Sequence, residues 1–124
     1  MQVIYNGIKF DSHEECEVYK LLLTKYKNIK CQYKSELYPY YCDFYIDDID
    51  LYIEYNGYWH HGKHLFDENN PDDINRLNIL IEKSKTKKRY LNAINVWTKK
   101  DPEKYNTAIN NHLNYKIFYN LKEV

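Results

Sequence analysis

At 124 residues, the chain is the size of one domain and too short to bury two separate cores. It contains no run of about 18 apolar residues, and its opening MQVIYNGIKF lacks a basic segment followed by a long apolar one; a transmembrane helix and a secretory signal are therefore not expected, and a cytoplasmic protein without a membrane partner is. The 18 Lys or Arg balance the 18 Asp or Glu overall, but residues 1–75 hold 14 acids against 7 bases and residues 76–124 hold 4 against 11, an acidic half and a basic half of −7 and +7.

The first elements are short. VIYNGIKF alternates around an Asn-Gly pair and predicts a hairpin. Ser12 opens a helix with the S-x-x-E pattern of a capping box, in which Ser12 caps and Glu15 reaches back. Its inward face runs through positions 15, 18, 19 and 22, which puts Glu15 on the buried side. From Lys30 to Gly57 the period falls to two: CQYKSELY, a break at Pro39, YYCDFYI, an acidic turn DDID, then LYIEYNG. Residues 58–71 are polar, contain Gly62 and Pro71, and read as a loop. A helix is expected from Asp72 or Asp73 through Ile74, Leu77 and Ile81 toward Lys85, ending in the basic tail KSKTKKR. LNAINVWT reads as a buried strand, DPEKYNTAINNH as a short helix capped by Asp101 with Pro102 at its first position, and YKIFYNL as a last strand. The predicted class is α/β, a single domain spanning residues 1–124 with a mixed central sheet flanked by helices.

Two acids stand out. Asp43 is in phase with Tyr41 and Tyr45, Glu54 with Tyr52 and Asn56, and the short turn at 47–50 allows the two strands to pair antiparallel, bringing both acids together. Like charges at close range raise each other's pKa, and a divalent cation removes that cost. Mg²⁺ is commonly held by one or two carboxylates plus waters and phosphate oxygens, so Asp43 and Glu54 form a plausible metal pair with Glu15 approaching from the helix. The bland readings are a helix cap for Glu15 and solvent-facing strand residues for the other two.

The stretch CDFYIDDIDLYIEYNGYWHH, preceded by a helix bearing Glu15, resembles the PD-(D/E)xK nuclease superfamily. Within it, the stretch is similar to phage and mobile-element endonucleases and more distantly to the very-short-patch repair endonucleases. VWTKKDPEKYNTAINNHLNYKIFYN looks like the terminal strand, helix and strand of such phage enzymes, so the resemblance covers residues 12–121. It implies a restriction-endonuclease-like core, DNA as partner, and an Mg²⁺-dependent endodeoxyribonuclease activity in which Mn²⁺ can substitute, in a bacterial or phage-infected cell. It assigns the metal acids to Asp43 and Glu54 and the helix acid to Glu15. Asn56 stands where the superfamily places a lysine that positions or activates water. Candidates for that work are His60, His61, Lys63 and Lys83, with His60, directly after Trp59, matching the family pattern. The ending NLKEV looks like the start of a further helix in such enzymes, which implies a shortened form.

His60, His61 and His64 also form H-H-x-x-H, a spacing that could be read as zinc ligation, though no cysteine lies near. Cys16, Cys31 and Cys42, an odd set without C-x-x-C, read as buried thiols. Lys83, Lys85, Lys87, Lys88 and Arg89, extended by Lys99 and Lys100, make a basic track suited to a DNA backbone, or simply a solvated helix end. Two rivals to the endonuclease stand: a nuclease-like DNA-binding module without chemistry, and a Holliday-junction-resolving enzyme on a homodimeric scaffold.

Overall fold

The computed structural model describes residues 2–57 and 62–124. The chain begins with a hairpin, β1 (Val3–Tyr5) and β2 (Ile8–Phe10), paired Val3 to Phe10. Asn6 and Gly7 at its turn have φ of 52° and 75°, the left-handed pair that a two-residue hairpin requires and that Asn-Gly adopts at low cost. Helix α1 (His13–Leu23) follows, with the Ser12 hydroxyl accepting the Glu15 N–H at 3.1 Å. Its Val18, Tyr19 and Leu22 are buried at the predicted spacing.

Strands β3 (Ile29–Tyr33), β4 (Cys42–Ile46) and β5 (Leu51–Tyr55) form an antiparallel meander, and β6 (Asn114–Phe118) pairs parallel to β5. The sheet is mixed, in the order β3-β4-β5-β6. The segment after β3 leaves the sheet before Pro39, and Asp47–Ile49 makes a single 3-10 turn closed by Asp50 at φ 50°. Between β5 and β6 lie α2 (Pro71–Ser84), α3 (Arg89–Asn95), a π-helical turn (Val96–Lys100) and α4 (Asp101–Asn110).

Period-two patterning puts different cores on the two faces of β4 and β5. Phe44, Ile46, Leu51 and Ile53 pack with Phe10, Val18, Tyr19 and Leu22, joining sheet to α1 and the hairpin. Tyr45 and Tyr52 pack with Tyr38 and with Ala108 of α4. A third cluster, Leu80, Tyr90 and Trp97 with Phe66 against it, joins α2 to α3.

Two sequence expectations are corrected. LNAINVWT is helical: Tyr90, Ala93 and Trp97 are the buried positions, a spacing of three and four that sets one face of a helix inward, and the chain runs through the π-turn into α4 without an intervening strand. Leu and Ala are strong helix formers, and alternation over so few residues could not outweigh that stripe. Helix α2 starts earlier than Asp72, at Pro71, because the Asn70 side chain accepts the N–H groups of Asp72 and Asp73 and Pro fits the first turn. Among the described residues no helix is long and apolar enough to cross a membrane.

Candidate active site

The β4–β5 ladder sets Ile46 against Leu51, Tyr45 against Tyr52 and Phe44 against Ile53. One step further, Asp43 and Glu54 oppose each other, and here the carboxylates take over the backbone donors. The Asp43 N–H donates to Glu54 Oε1 at 3.0 Å, and the Tyr55 N–H donates to Asp43 Oδ2 at 2.8 Å. The two acids are thus locked side by side at the end of the strand pair, as the sequence spacing predicts.

Glu54 is 3% exposed and well supplied with donors. Its Oε2 accepts the Tyr38 hydroxyl at 2.5 Å and lies 3.4 Å from the Lys104 ammonium on α4. Tyr38 is completely buried, and its oxygen is 2.9 Å from the Tyr115 hydroxyl on β6. Burial, followed by the Glu54 charge, pushes the Tyr38 hydroxyl far up, so it remains a donor at any ordinary pH. Among the described residues Asp43 has fewer partners: besides Tyr55, a long 3.4 Å contact from Gln32 Nε2 to Oδ1. Its carboxyl is held well above the usual range by burial first, then by the charges of Glu54 and Glu15, with the Tyr55 N–H and Lys104 pulling the other way. Glu15, half-buried on α1, is likewise raised by burial, then by Asp11 and Glu54. Cys31 on β3 senses the same field: burial, Asp43 and Glu15 push its thiol up to about 11.

Three carboxylates from three elements, Glu15, Asp43 and Glu54, therefore share one electrostatic neighbourhood with the Lys104 ammonium. Burial alone would lower the Lys104 pKa, but Glu54 and Asp43 outweigh it and the net shift is upward, so Lys104 is charged. Burial and like charge disfavour the ionised forms of Asp43 and Glu15, a cost that a divalent cation held between the carboxylates would offset. Among the described residues no group of three or more His, Cys, Asp or Glu side chains forms a ready-made cage for an ion. Mg²⁺ needs less than that, since one or two carboxylates suffice when water and substrate oxygens complete the shell. Asp43 and Glu54 fit that smaller requirement.

Lys104 was not among the candidates drawn from the sequence. The signal for it lies in α4, where Asp101 and Ala108 are buried three positions before it and four after, so Lys104 falls on the inward stripe of an otherwise solvated helix. Asn56 extends the β5–β6 pairing, its N–H donating to the Phe118 carbonyl at 2.8 Å, while its Nδ2 donates to Asp101 Oδ2 at 3.4 Å. It ties the end of β5 to the first turn of α4, the helix that delivers Lys104. His60, His61 and Trp59 lie outside the described residues. Lys63 and Lys83 line a separate cleft whose walls include none of the three acids.

His64 of the H-H-x-x-H spacing is occupied by an acid, its Nε2 lying 2.8 and 2.9 Å from the two oxygens of buried Asp73. Lys83, Lys85, Lys87, Lys88 and Arg89 are all exposed around the α2–α3 turn. Lys99 and Lys100 are exposed too, on the π-turn rather than at a strand end. Cys16 and Cys42 are buried free thiols and Cys31 is partly so.

Comparison with protein-family models, with curated proteins and with solved structures finds no match to this chain.

Proposed function

We propose that this protein is a Mg²⁺-dependent DNA endonuclease of the PD-(D/E)xK type that hydrolyses phosphodiester bonds in the cytoplasm. The observation that carries the reading is the meeting of Asp43, Glu54 and Lys104: two strand acids in adjacent register, with a lysine against the second of them. The order of elements, a helix, a three-stranded meander, three helices and a parallel fourth strand, is compatible with a restriction-endonuclease-like core. The exposed basic turn between α2 and α3 supplies the charge a phosphate backbone needs.

Asp43 and Glu54 would hold the metal, Mg²⁺ or Mn²⁺, which when bound polarises a phosphoryl oxygen and lowers the pKa of water. Glu54 is fixed for that role by three donors, so its carboxylate has little freedom to rotate away. Asp43 keeps a less engaged oxygen, and Glu15 adds charge from α1. Lys104 takes the place of the lysine that the strand motif lacks at Asn56: its ammonium orients a water beside Glu54 and offsets negative charge on the phosphate as the P–O bond to the leaving oxygen breaks.

Plasmid cleavage in Mg²⁺ tests this directly, with wild type compared with Asp43→Ala and Glu54→Ala. Loss of cutting in both variants is expected, and equal cutting by all three proteins sinks the site. An alternative is a nuclease-like module that binds DNA without cutting it, in line with Asn56 standing where the resembled superfamily has its lysine. That reading predicts salt-sensitive binding unaffected by Asp43→Ala and no cleavage under any divalent metal.

A further inference from the structure

A cleft of about 710 Å³ opens between the chain at 62–64, helix α2 and the α3–π-turn segment. Its volume falls within the roughly 300–1,000 Å³ typical of sites for small molecules. The floor is apolar and aromatic, formed by Ile79, Leu80, Tyr90 and Trp97, while Lys63, His64 and Lys83 stand on its walls. Asp72, Asp73 and Arg76 also line it. Asp73 holds His64 through both oxygens, the Arg76 guanidinium lies 5.4 Å over the Trp97 ring, and the Lys83 ammonium lies 5.6 Å over the Tyr90 ring.

The cleft is a built feature of the fold. Asp73 is 4% exposed and accepts the Asp67 N–H at 2.9 Å as well as His64. The Trp97 indole N–H donates to the His64 carbonyl at 3.0 Å, and the Phe66 ring packs edge-on against Trp97 at 4.9 Å. The backbone at Gly62 passes so close to the indole that a Cβ there would lie 2.7 Å from Trp97 Nε1. The Asp73 contact fixes the imidazole of His64 through Nε2. Beyond Lys83 the wall continues into the exposed turn carrying Lys85, Lys87, Lys88 and Arg89, where Lys85 pairs with Glu82.

A flat apolar body with an anionic group beside it, continued by further anions, is the shape and charge that complement these surfaces. We infer that this cleft receives one nucleotide of a single DNA strand, its phosphate at Lys63, His64 and Lys83, its base and sugar against Ile79, and its neighbouring phosphates along the Lys85–Arg89 turn. The site is distinct from the acid cluster, so binding here does not require that the cluster cut DNA.

The test is fluorescence anisotropy of a labelled ten-nucleotide oligodeoxythymidine without divalent metal, for wild type, Lys83→Ala, Ile79→Glu and, as a control, Lys116→Ala. Ile79 is half exposed, so glutamate there is compatible with folding while adding bulk and negative charge to the cleft floor. Circular dichroism checks each variant. The expected result is a roughly tenfold weaker affinity for each cleft variant and unchanged affinity for the Lys116→Ala control, with competition by millimolar thymidine monophosphate. Wild-type affinity in Ile79→Glu overturns the proposal. So does strand binding that thymidine monophosphate cannot displace, which would mean tracking of the backbone by the basic turn alone. No plasmid cutting by wild type, with strand binding present, tells against the nuclease reading only, and absent strand binding by wild type that does cut tells against the cleft only.

Discussion

Lys104 Nζ lies 3.4 Å from Glu54 Oε2, joining helix α4 to the centre of the sheet. The lysine is half-buried and keeps its charge because Glu54 and Asp43 face it. Lys104→Met keeps the aliphatic stem and removes only the ammonium. Plasmid cleavage in Mg²⁺ should fall about 10²- to 10³-fold, the size of losing one group that stabilises developing charge, with the circular dichroism spectrum unchanged. Lys104→Arg should retain part of the activity. Full activity in the methionine variant would show that another group does this work.

Asp43 and Glu54 should respond in opposite directions to neutralisation. Asp43 sits in an unfavourable field of burial and like charge, so Asp43→Asn, which keeps an oxygen for the Tyr55 N–H, should raise the melting temperature of the metal-free protein. Its sign follows from the raised folded-state pKa: the penalty is present at neutral pH and fades as the carboxyl protonates in acid. Glu54→Gln should lower the melting temperature, because Lys104 then loses its counter-charge and the Tyr38 contact loses its ionised acceptor. Addition of Ca²⁺, a cation that binds oxygen ligands, should stabilise wild type and neither variant. Differential scanning fluorimetry reads all three effects, and a calcium shift that survives in both variants would place cation binding elsewhere.

Cys31 reports on the acids without any metal. With its thiol pushed up to about 11, only about a thousandth is thiolate at pH 8, so iodoacetamide should modify it slowly. Asp43→Asn removes the second of the causes of that shift and should speed labelling several-fold, which mass spectrometry can assign to residue 31. Unchanged labelling would mean that the Asp43 charge does not reach β3.

Gly62 is required by its surroundings. Its φ of 64° disfavours a side chain, and a Cβ would strike the Trp97 indole. Gly62→Ala should cost roughly 1–3 kcal/mol in urea unfolding and disturb the His64–Trp97 contact, whereas Gly7→Ala, at φ 75° with open space around it, should cost less. Equal losses at the two positions would mean that the indole contact is immaterial.

Much of the acid pair was readable in the chain because strand periodicity is a local property. Asp43 and Glu54 are eleven positions apart around a short turn, and an antiparallel hairpin must then set them opposite each other on one face. The Ser12 cap and the Asn-Gly hairpin were legible for the same reason. The segment at 89–97 was misread because two periods compete over so few residues, and the packing of Tyr90 and Trp97 with Leu80 of α2 decided for the helix.

Sequence by itself determined which acids stand together, since their spacing and the turn between them leave little freedom. Only the tertiary structure decided which cation meets them. Lys104 lies fifty positions beyond Glu54 on a helix, and its approach depends on the parallel pairing of β6 with β5 and the packing of Ala108 under the tyrosine layer. Contacts between distant segments are set by how whole elements pack, and no local pattern around residue 56 encodes them.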